Sequence, residues 1–344
     1  MRFELSRRTL RLRSPVHTSF GTTTERELLL LALTDERGVR GVGEAAPHEP
    51  YDGVPFERVE RALERYRPLL ECAPGGADPA QLLQGCRAID DLPAALAAVD
   101  IALWDHAGRR AGCPLAELLC ERPAPTVPVN ATVTAEDRAG AATQAADAAR
   151  SGFDVLKVKV GVGDDAGRLA AVRSAVGPAV ALRVDANGAW SVPEAIAAIG
   201  SLEAVGLELV EEPVHGLDDI RRVREAVWAR VSIDETAAEP GALAAGAADA
   251  VCLKLSRCGG ISGLLEAAGE VRGSGAEVYV TSGLDGPVAV AAAVHAAAAL
   301  LASGPLAHCG LATLALFEDL EDPLPPRDGA NALPTGPGLG IESA

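Results

Sequence analysis

Lysine is rare in this sequence, and its positions are the first candidates for chemistry. The chain contains 31 Lys and Arg residues, of which only Lys157, Lys159 and Lys254 are lysine. Arginine does not release its proton in a protein, whereas the pKa of a lysine shifts readily when the amine is desolvated or placed near other cations. We therefore expect lysine where a proton must be taken up and released. We also expect lowered pKa values that suit a general base near neutral pH.

Acidic side chains follow the lysines at a regular spacing. Asp185, Glu211 and Asp234 each stand at or beside the end of a short apolar run, one strand-and-helix unit apart. Side chains at the carboxyl ends of barrel strands converge on one site. Three carboxylates with no clustered His or Cys suit Mg²⁺, with Mn²⁺ as the alternative, and do not suit zinc. Because these carboxylates would repel each other without a cation, we predict a metal site.

A divalent cation beside amine bases predicts one kind of reaction, the removal of a proton next to a carboxylate. Such a carbon acid is very weak, and coordination of both substrate carboxylate oxygens by the metal stabilises the ene-diolate that forms. Lys157 and Lys159 point the same way from their strand. Lys254 would face Lys159 across an eight-stranded barrel, so the amines would approach a substrate from two sides.

The rhythm of the chain beyond residue 122 indicates the elements that hold these side chains. Short apolar runs alternate there with Ala-rich helical stretches. This alternation implies a parallel sheet, and eight units favour a closed barrel over an open doubly wound sheet. The predicted strands are 127–133, 155–161, 181–187, 207–213, 231–236, 250–256, 277–283 and 305–310. No GxGxxG or GxxxxGK[ST] motif opens a helix, so dinucleotide or P-loop chemistry is not indicated.

The N-terminal part of the chain has a different pattern. Apolar and polar residues alternate in 2–13 and 27–45, which predicts antiparallel strands, and the segment that follows is helical in pattern. We therefore predict a small α+β domain over 1–122 and a barrel domain over 123–314. The tail, 315–344, is predicted to pack back on the first domain.

Composition limits the partners and the location. The net charge of −17 argues against a nucleic acid. The most apolar window, 287–302, is too short and too rich in alanine to cross a bilayer, so no membrane is expected. The first residues lack the apolar run of a secretion signal, and the scattered cysteines form no CxxC pair, so we expect a cytoplasmic protein. The expected partner is a small-molecule carboxylate, and a homo-oligomer is an open alternative.

The combined pattern KVK…DAN…EEP…IDE…K resembles the enolase superfamily, in particular its muconate lactonizing enzyme subgroup, over nearly the whole chain. Members use a Lys or His base with one or two Mg²⁺ ions. The resemblance implies an α/β fold, a modified (β/α)7–8 TIM-type barrel with an N-terminal α+β capping domain. By position it implies Asp185, Glu211 and Asp234 as metal ligands, Lys159 and Lys254 as the acid/base pair, and Lys157 as support for the substrate carboxylate.

Four segments resemble o-succinylbenzoate synthases within that subgroup: VPVNATV, LRVDANGAWS, TSGLDGPVAVAAAVHAAAAL and HCGLATLAL. This implies a carbon–oxygen lyase that dehydrates its substrate in the menaquinone pathway. An N-acylamino acid racemase, a muconate cycloisomerase and a dipeptide epimerase are the alternatives, and a non-catalytic ligand-binding barrel is the alternative outside the class. Dipeptide epimerases carry Asp-x-Asp after strand eight, where this chain has HCGLA, so the epimerase is disfavoured.

The resemblance also implies substrate-binding residues. In that family the loop after strand seven contacts the succinyl end of the substrate, which by position gives Thr281, Ser282 and Gly283. A capping-domain loop at 16–24 is expected to fold over the barrel mouth as a mobile lid. The other residues that we assign to the pocket are Asn187, Glu235, Phe20 and Tyr51.

Overall fold

The first domain is a small antiparallel sheet covered by helices. The computed structural model describes residues 1–161, 163–318 and 320–341. The strands are β1 Arg2–Thr18, β2 Gly21–Thr34 and β3 Arg40–Ala45, paired in that order. The helices are α1 Glu49–Asp52, α2 Phe56–Cys72, α3 Pro79–Ile89, α4 Pro93–Ala111 and α5 Leu115–Leu119.

Close packing of α4 on the sheet explains the glycines of β3. A Cβ atom at Gly43 would lie 1.8 Å from the carbonyl oxygen of Ala98, so only glycine allows this approach. Helix α4 begins with Pro93 in its first turn and ends at Gly112 in the left-handed region, at φ 71°. The antiparallel strands and the helical segment were therefore predicted correctly.

The segment 16–24, predicted as a loop, is paired as a hairpin, whereas its role as a lid stays a prediction. These residues form the tip of the β1–β2 hairpin, where Val16 pairs with Thr23 and Thr18 pairs with Gly21. A shift of register between Arg11 and Val16 bends the hairpin. Backbone pairing satisfies the polar groups that a free loop would leave to water.

The second domain is a parallel barrel. Seven strands pair in the order β11-β10-β9-β8-β7-β6-β5. The strands are β5 Ala131–Val133, β6 Val155–Lys159, β7 Ala181–Asp185, β8 Leu207–Glu211, β9 Arg230–Ile233, β10 Ala250–Leu253 and β11 Glu277–Val280, preceded by the outer strand β4 Thr126–Pro128. The helices are α6 Arg138–Arg150, α7 Asp165–Val176, α8 Val192–Ser201, α9 Leu217–Ala226, α10 Leu255–Cys258, α11 Ile261–Gly273 and α12 Pro287–Ser303.

The segment 305–310, predicted as the eighth strand, closes the barrel through isolated bridges and does not form a regular strand. Single parallel bridges join Cys309 to Val129 and Gly310 to Thr281. The amide of Gly310 donates to the carbonyl of Val280 at 2.9 Å. The predicted α/β barrel with its N-terminal domain is confirmed.

The segment 287–302 is apolar because it forms a buried helix. Helix α12 is buried on all sides from Val288 to Leu300 against the barrel core. Within the described parts of the chain, no helix combines the length and hydropathy that crossing a bilayer requires.

The described part of the tail contacts both domains. Phe317 bridges to Leu12 of β1. Strand β12, Ala330–Ala332, pairs antiparallel with β4. Further on, the amide of Leu339 donates to Asp105 of α4 at 2.8 Å. The division at 122 and 123 stays a prediction, and position 319 and residues 342–344 of the predicted tail lie outside the described residues.

Candidate active site

The carboxyl ends of the middle barrel strands bring the predicted residues together. Lys159 of β6 is in register with Asp185 of β7, and Asp185 is in register with Glu211 of β8. Asp234 follows β9 directly and Lys254 follows β10 directly. Neighbours in parallel register present their side chains on the same face, so the charged groups meet at one mouth.

One side of this cluster is built by the lysines of β6. The Nζ of Lys157 donates to Oε1 of Glu211 at 2.6 Å and lies 2.8 Å from Oδ2 of Asp185. The Nζ of Lys159 donates to Oδ2 of Asp185 at 2.5 Å and to Oδ1 of Asn187 at 2.8 Å. Asp185 and Glu211 are each 1% exposed, so these bonds form out of water.

The opposite side is built by Lys254 and a tyrosine of the capping domain. The Nζ of Lys254 is paired with Oδ1 of Asp234 and donates to the hydroxyl of Tyr51 at 3.1 Å. The Tyr51 hydroxyl donates to the same Asp234 oxygen at 2.9 Å. Lys254 also lies 4.9 Å from the centroid of the Tyr51 ring. Lys159 and Lys254 therefore approach the carboxylates from different strands.

A cavity of about 100 Å³ lies between the two domains at this mouth. The described residues that line it include Lys157, Lys159, Asp185, Asn187, Asp234, Lys254, Thr281, Ser282, Gly283, Phe20 and Tyr51. Glu211 lies beneath the cavity and reaches it through Lys157. Glu235 lines an adjacent recess. Its carboxylate accepts a hydrogen bond from Nδ2 of Asn187 at 2.9 Å.

Sequence reasoning missed several residues of the cavity wall. Asn130, Thr132 and Thr134 come from the first barrel segment, where every second residue faces the mouth. The alternation in VPVNATV carried this signal. His48 of the cap packs edge-on against Phe20, with ring centroids 5.7 Å apart. Burial, with Arg26 and Lys159 nearby, lowers the pKa of His48 to about 4, so this imidazole is neutral at physiological pH.

Glu212, the second glutamate of the EEP motif, fixes the position of Asp234. Its backbone is in the left-handed region, at φ 41°, and its side chain is fully buried. Oε2 of Glu212 accepts from the amide of Asp234 at 2.7 Å, and Oε1 accepts from the amide of Thr236 at 3.0 Å. Oε1 also accepts from the hydroxyl of Thr236 and lies 2.9 Å from Nδ1 of His215, so the backbone after β9 and these two side chains together hold the carboxylate.

The expected lowering of the lysine pKa values is wrong for two of the amines. Burial lowers the pKa of Lys157, but Asp185 and Glu211 outweigh burial and hold it above its ordinary value. Burial likewise lowers the pKa of Lys254, and Asp234 outweighs it. Each ammonium is the direct partner of a carboxylate, so the charged form is favoured in this arrangement.

The donor set fits a hard divalent cation. Oxygens of Glu211 and Asp234 lie within 4.8 Å of each other, and Asp185 and Glu211 share the ammonium of Lys157. Buried carboxylates from three neighbouring strands are the ligands that Mg²⁺ prefers. Cys252 lies beside them, and burial raises the pKa of its thiol well above the ordinary value.

Comparison with known proteins agrees with this geometry. Residues 3–120 match the mandelate racemase / muconate lactonizing enzyme N-terminal domain, and residues 140–344 match the enolase C-terminal domain-like family. The chain therefore belongs to the enolase superfamily. Within it, the chain falls in the muconate lactonizing enzyme subgroup, as the sequence pattern predicts.

Individual relatives have different activities. The chain is 32% identical to the L-Ala-D/L-Glu epimerase of Bacillus subtilis, over 87% of this chain and 84% of that protein. It is 41% identical to the o-succinylbenzoate synthase of Thermobifida fusca, over 60% of this chain and 67% of that protein. The dipeptide epimerase of Enterococcus faecalis V583, solved with Mg and the dipeptide L-Leu-L-Tyr, superimposes with a TM-score of 0.89 at 27% identity, over 99% of each chain.

Proposed function

We propose that the protein removes a proton next to a carboxylate in a Mg²⁺-dependent reaction, and that this reaction is the dehydration performed by o-succinylbenzoate synthases. The observation that carries the proposal is the placement of Lys159 and Lys254 on separate strands around one cavity that also exposes Asp185 and Asp234. Arginine at either lysine position would keep the charge and lose the exchangeable proton.

Three carboxylates would hold the cation: Asp185, Glu211 and Asp234. When bound, Mg²⁺ would supply positive charge to the substrate carboxylate. Lys157 lies between two of these ligands and would orient the substrate carboxylate beside them.

The lysines would divide the proton chemistry. We assign to Lys159 the removal of the α proton, because its amine borders the cavity and is held by Asp185 and Asn187. In a syn elimination one lysine acts as the essential base, and the same amine would then return that proton to the departing hydroxyl, which leaves as water. Lys254 would then stabilise charge from the other side of the cavity, where Tyr51 and Asp234 fix its position.

The remaining cavity wall favours a substrate without a free amine. Among the described residues that line the cavity, the acids are Asp185 and Asp234. The far wall has hydroxyl and backbone groups instead, including Ser282 and Thr313, whose oxygens are 2.7 Å apart. A desolvated ammonium with no counter-ion is costly, whereas a succinyl carboxylate finds donors there. The 41% identity to the synthase of Thermobifida fusca, over 60% of this chain, supports the same reaction.

Racemisation of an N-acyl amino acid is the second candidate. It is favoured by the approach of two lysines from different strands, because a racemase must deliver a proton to the face opposite the one it deprotonates. An acylated amine is neutral and needs no counter-ion, so this substrate is also compatible with the hydroxyl groups of Ser282 and Thr313.

One experiment separates these reactions. The protein is incubated in D₂O with Mg²⁺ and either the succinyl-bearing hydroxycyclohexadiene carboxylate that the synthases dehydrate or a series of N-succinyl amino acids. A dehydratase forms o-succinylbenzoate, and a racemase incorporates deuterium at the α carbon. If neither change occurs and both compounds bind, the protein is a binding barrel and the proposal is rejected.

A further inference from the structure

A buried carboxylate of the capping domain reaches the barrel segment next to the cavity. Glu44 of β3 is 2% exposed. Its oxygens accept from the amides of Gly286, at 2.6 Å, and Val288, at 3.2 Å. These amides belong to the first turn of α12 and the residue before it, so a cap side chain completes the start of a barrel helix.

A buried arginine of the cap holds the loop just before this helix. Arg26 of β2 is 3% exposed and donates to the carbonyl of Leu284 at 3.3 Å. The same guanidinium donates to the carbonyls of Ala46, at 2.7 Å, and Pro47, at 3.1 Å. One side chain thus ties the barrel loop to the cap turn that carries His48.

The contact leaves little room for the loop to shift. A Cβ atom at Gly286 would lie 2.6 Å from the Glu44 carboxylate and 2.6 Å from a methyl group of Leu28. Leu284 is in the left-handed region, at φ 60°, a conformation that costs free energy for a branched side chain. The surrounding contacts therefore determine the loop conformation.

Both segments that are joined in this way line the cavity. The barrel loop contributes Ser282, Gly283 and Leu284, and the cap turn contributes His48 and Tyr51. We propose that Arg26 and Glu44 are positioning residues that set the barrel loop 281–286 against the cap turn 46–51, and thereby determine how tightly the acyl end of the substrate is held. The acyl end of the substrate follows from the proposed function, whereas the placement of the two segments by Arg26 and Glu44 does not depend on it.

The chain contains a matched control for this pair. Asp100 of α4 is 3% exposed and also crosses from the cap to the start of a barrel helix. It accepts from the amide of Ser262 at 3.0 Å and from its hydroxyl at 2.7 Å. Neither residue is among the described residues that line the cavity. Loss of Asp100 should therefore loosen the domain contact and leave the substrate loop in place.

The test compares Glu44→Ala, Glu44→Gln and Asp100→Ala in the full chain with Mg²⁺. Glu44→Ala should speed hydrogen exchange of the amides at 286 and 288 by about tenfold, since these buried donors lose their acceptor. It should raise the KM for the wild-type substrate about tenfold and change kcat less than about threefold. Glu44→Gln should recover part of the KM, and Asp100→Ala should speed exchange near 262 without changing KM.

The outcomes separate this inference from the proposed function. If wild type neither binds the probe o-succinylbenzoate nor turns over any carboxylate, the proposed function fails, and the exchange rates at 286 and 288 still decide whether Glu44 holds the loop. Unchanged exchange in Glu44→Ala, or an equal rise of KM in Glu44→Ala and Asp100→Ala, overturns the positioning role. If Glu44→Ala does not fold, Glu44→Gln and Arg26→Lys provide the same comparison.

Discussion

Tyr51 of the capping domain donates its hydroxyl hydrogen to Asp234, at the end of a barrel strand, at 2.9 Å. The contact makes the candidate site a product of both domains. Lys254 donates to the same hydroxyl at 3.1 Å. One cap residue therefore contacts both a proposed catalytic lysine and a proposed metal ligand. Burial, followed by the effect of Asp234, raises the pKa of Tyr51 well above its ordinary value, so Tyr51 stays a donor.

The first prediction concerns this hydroxyl. Tyr51→Phe keeps the ring wall and removes the donor to Asp234, and we expect kcat/KM to fall about tenfold because a charged acceptor loses a partner. Steady-state kinetics measure the loss. Tyr66→Phe is the matched control, because the Tyr66 hydroxyl bonds the carbonyl of Asp90 within the cap. Equal rates in wild type and Tyr51→Phe would show that the hydroxyl has no role.

The second prediction concerns the general base. Lys159→Arg keeps a cation beside Asp185 and removes the exchangeable proton, so we expect kcat to fall by about 10²- to 10⁴-fold. Circular dichroism and thermal unfolding should match wild type. Retention of the full rate would show that Lys159 is not the base.

The third prediction concerns the cation. EDTA should abolish activity, and Asp234→Asn should weaken Mg²⁺ binding in calorimetry, because one of the three carboxylate ligands loses its charge. Asp218→Asn provides the control, since this aspartate lies on α9 with its side chain 87% exposed. Mg²⁺ binding that is the same in both variants would remove Asp234 from the ligand set.

The fourth prediction concerns stability against acid. His295 of α12 is buried, its Nδ1 accepts from the amide of Ala116 at 3.1 Å, and its Nε2 lies 3.1 Å from the carbonyl of Leu339. Burial lowers its pKa to about 4. Between the ordinary pKa of about 6.5 and this value, His295 is protonated in the unfolded chain and neutral in the folded chain. The free energy of unfolding therefore falls as the pH falls through this interval.

Thermal unfolding between pH 7 and pH 4 measures this effect. The melting temperature should drop across the interval, and His295→Gln should show a flatter pH profile from a lower starting stability. An unchanged slope in His295→Gln would assign the acid sensitivity to other groups.

Much of the site could be predicted because two regular patterns coincide. The strand period places Lys157 and Lys159 on one face, and the repeat of strand and helix places Asp185, Glu211 and Asp234 at successive strand ends. Parallel register then brings these side chains together without information from distant parts of the chain.

The rest depends on contacts between distant segments. The bond from Tyr51 to Asp234 joins residues 183 positions apart, and no local pattern specifies it. The raised pKa of Lys254 follows from the particular carboxylate that it meets, which composition does not reveal. Glu212 holds Asp234 through a side-chain oxygen that accepts from the Asp234 amide, a contact that the EEP motif does not specify.

The central claim is that lysines beside a carboxylate-bound cation ionise a C–H bond next to a carboxylate. The most direct measurement follows the succinyl-bearing hydroxycyclohexadiene carboxylate with Mg²⁺ by NMR in D₂O, for wild type and for Lys159→Arg. We predict loss of water and formation of o-succinylbenzoate with wild type and neither change with the variant. Binding of substrate and Mg²⁺ by wild type with no dehydration and no exchange of the α hydrogen, or equal rates in both proteins, would contradict the account.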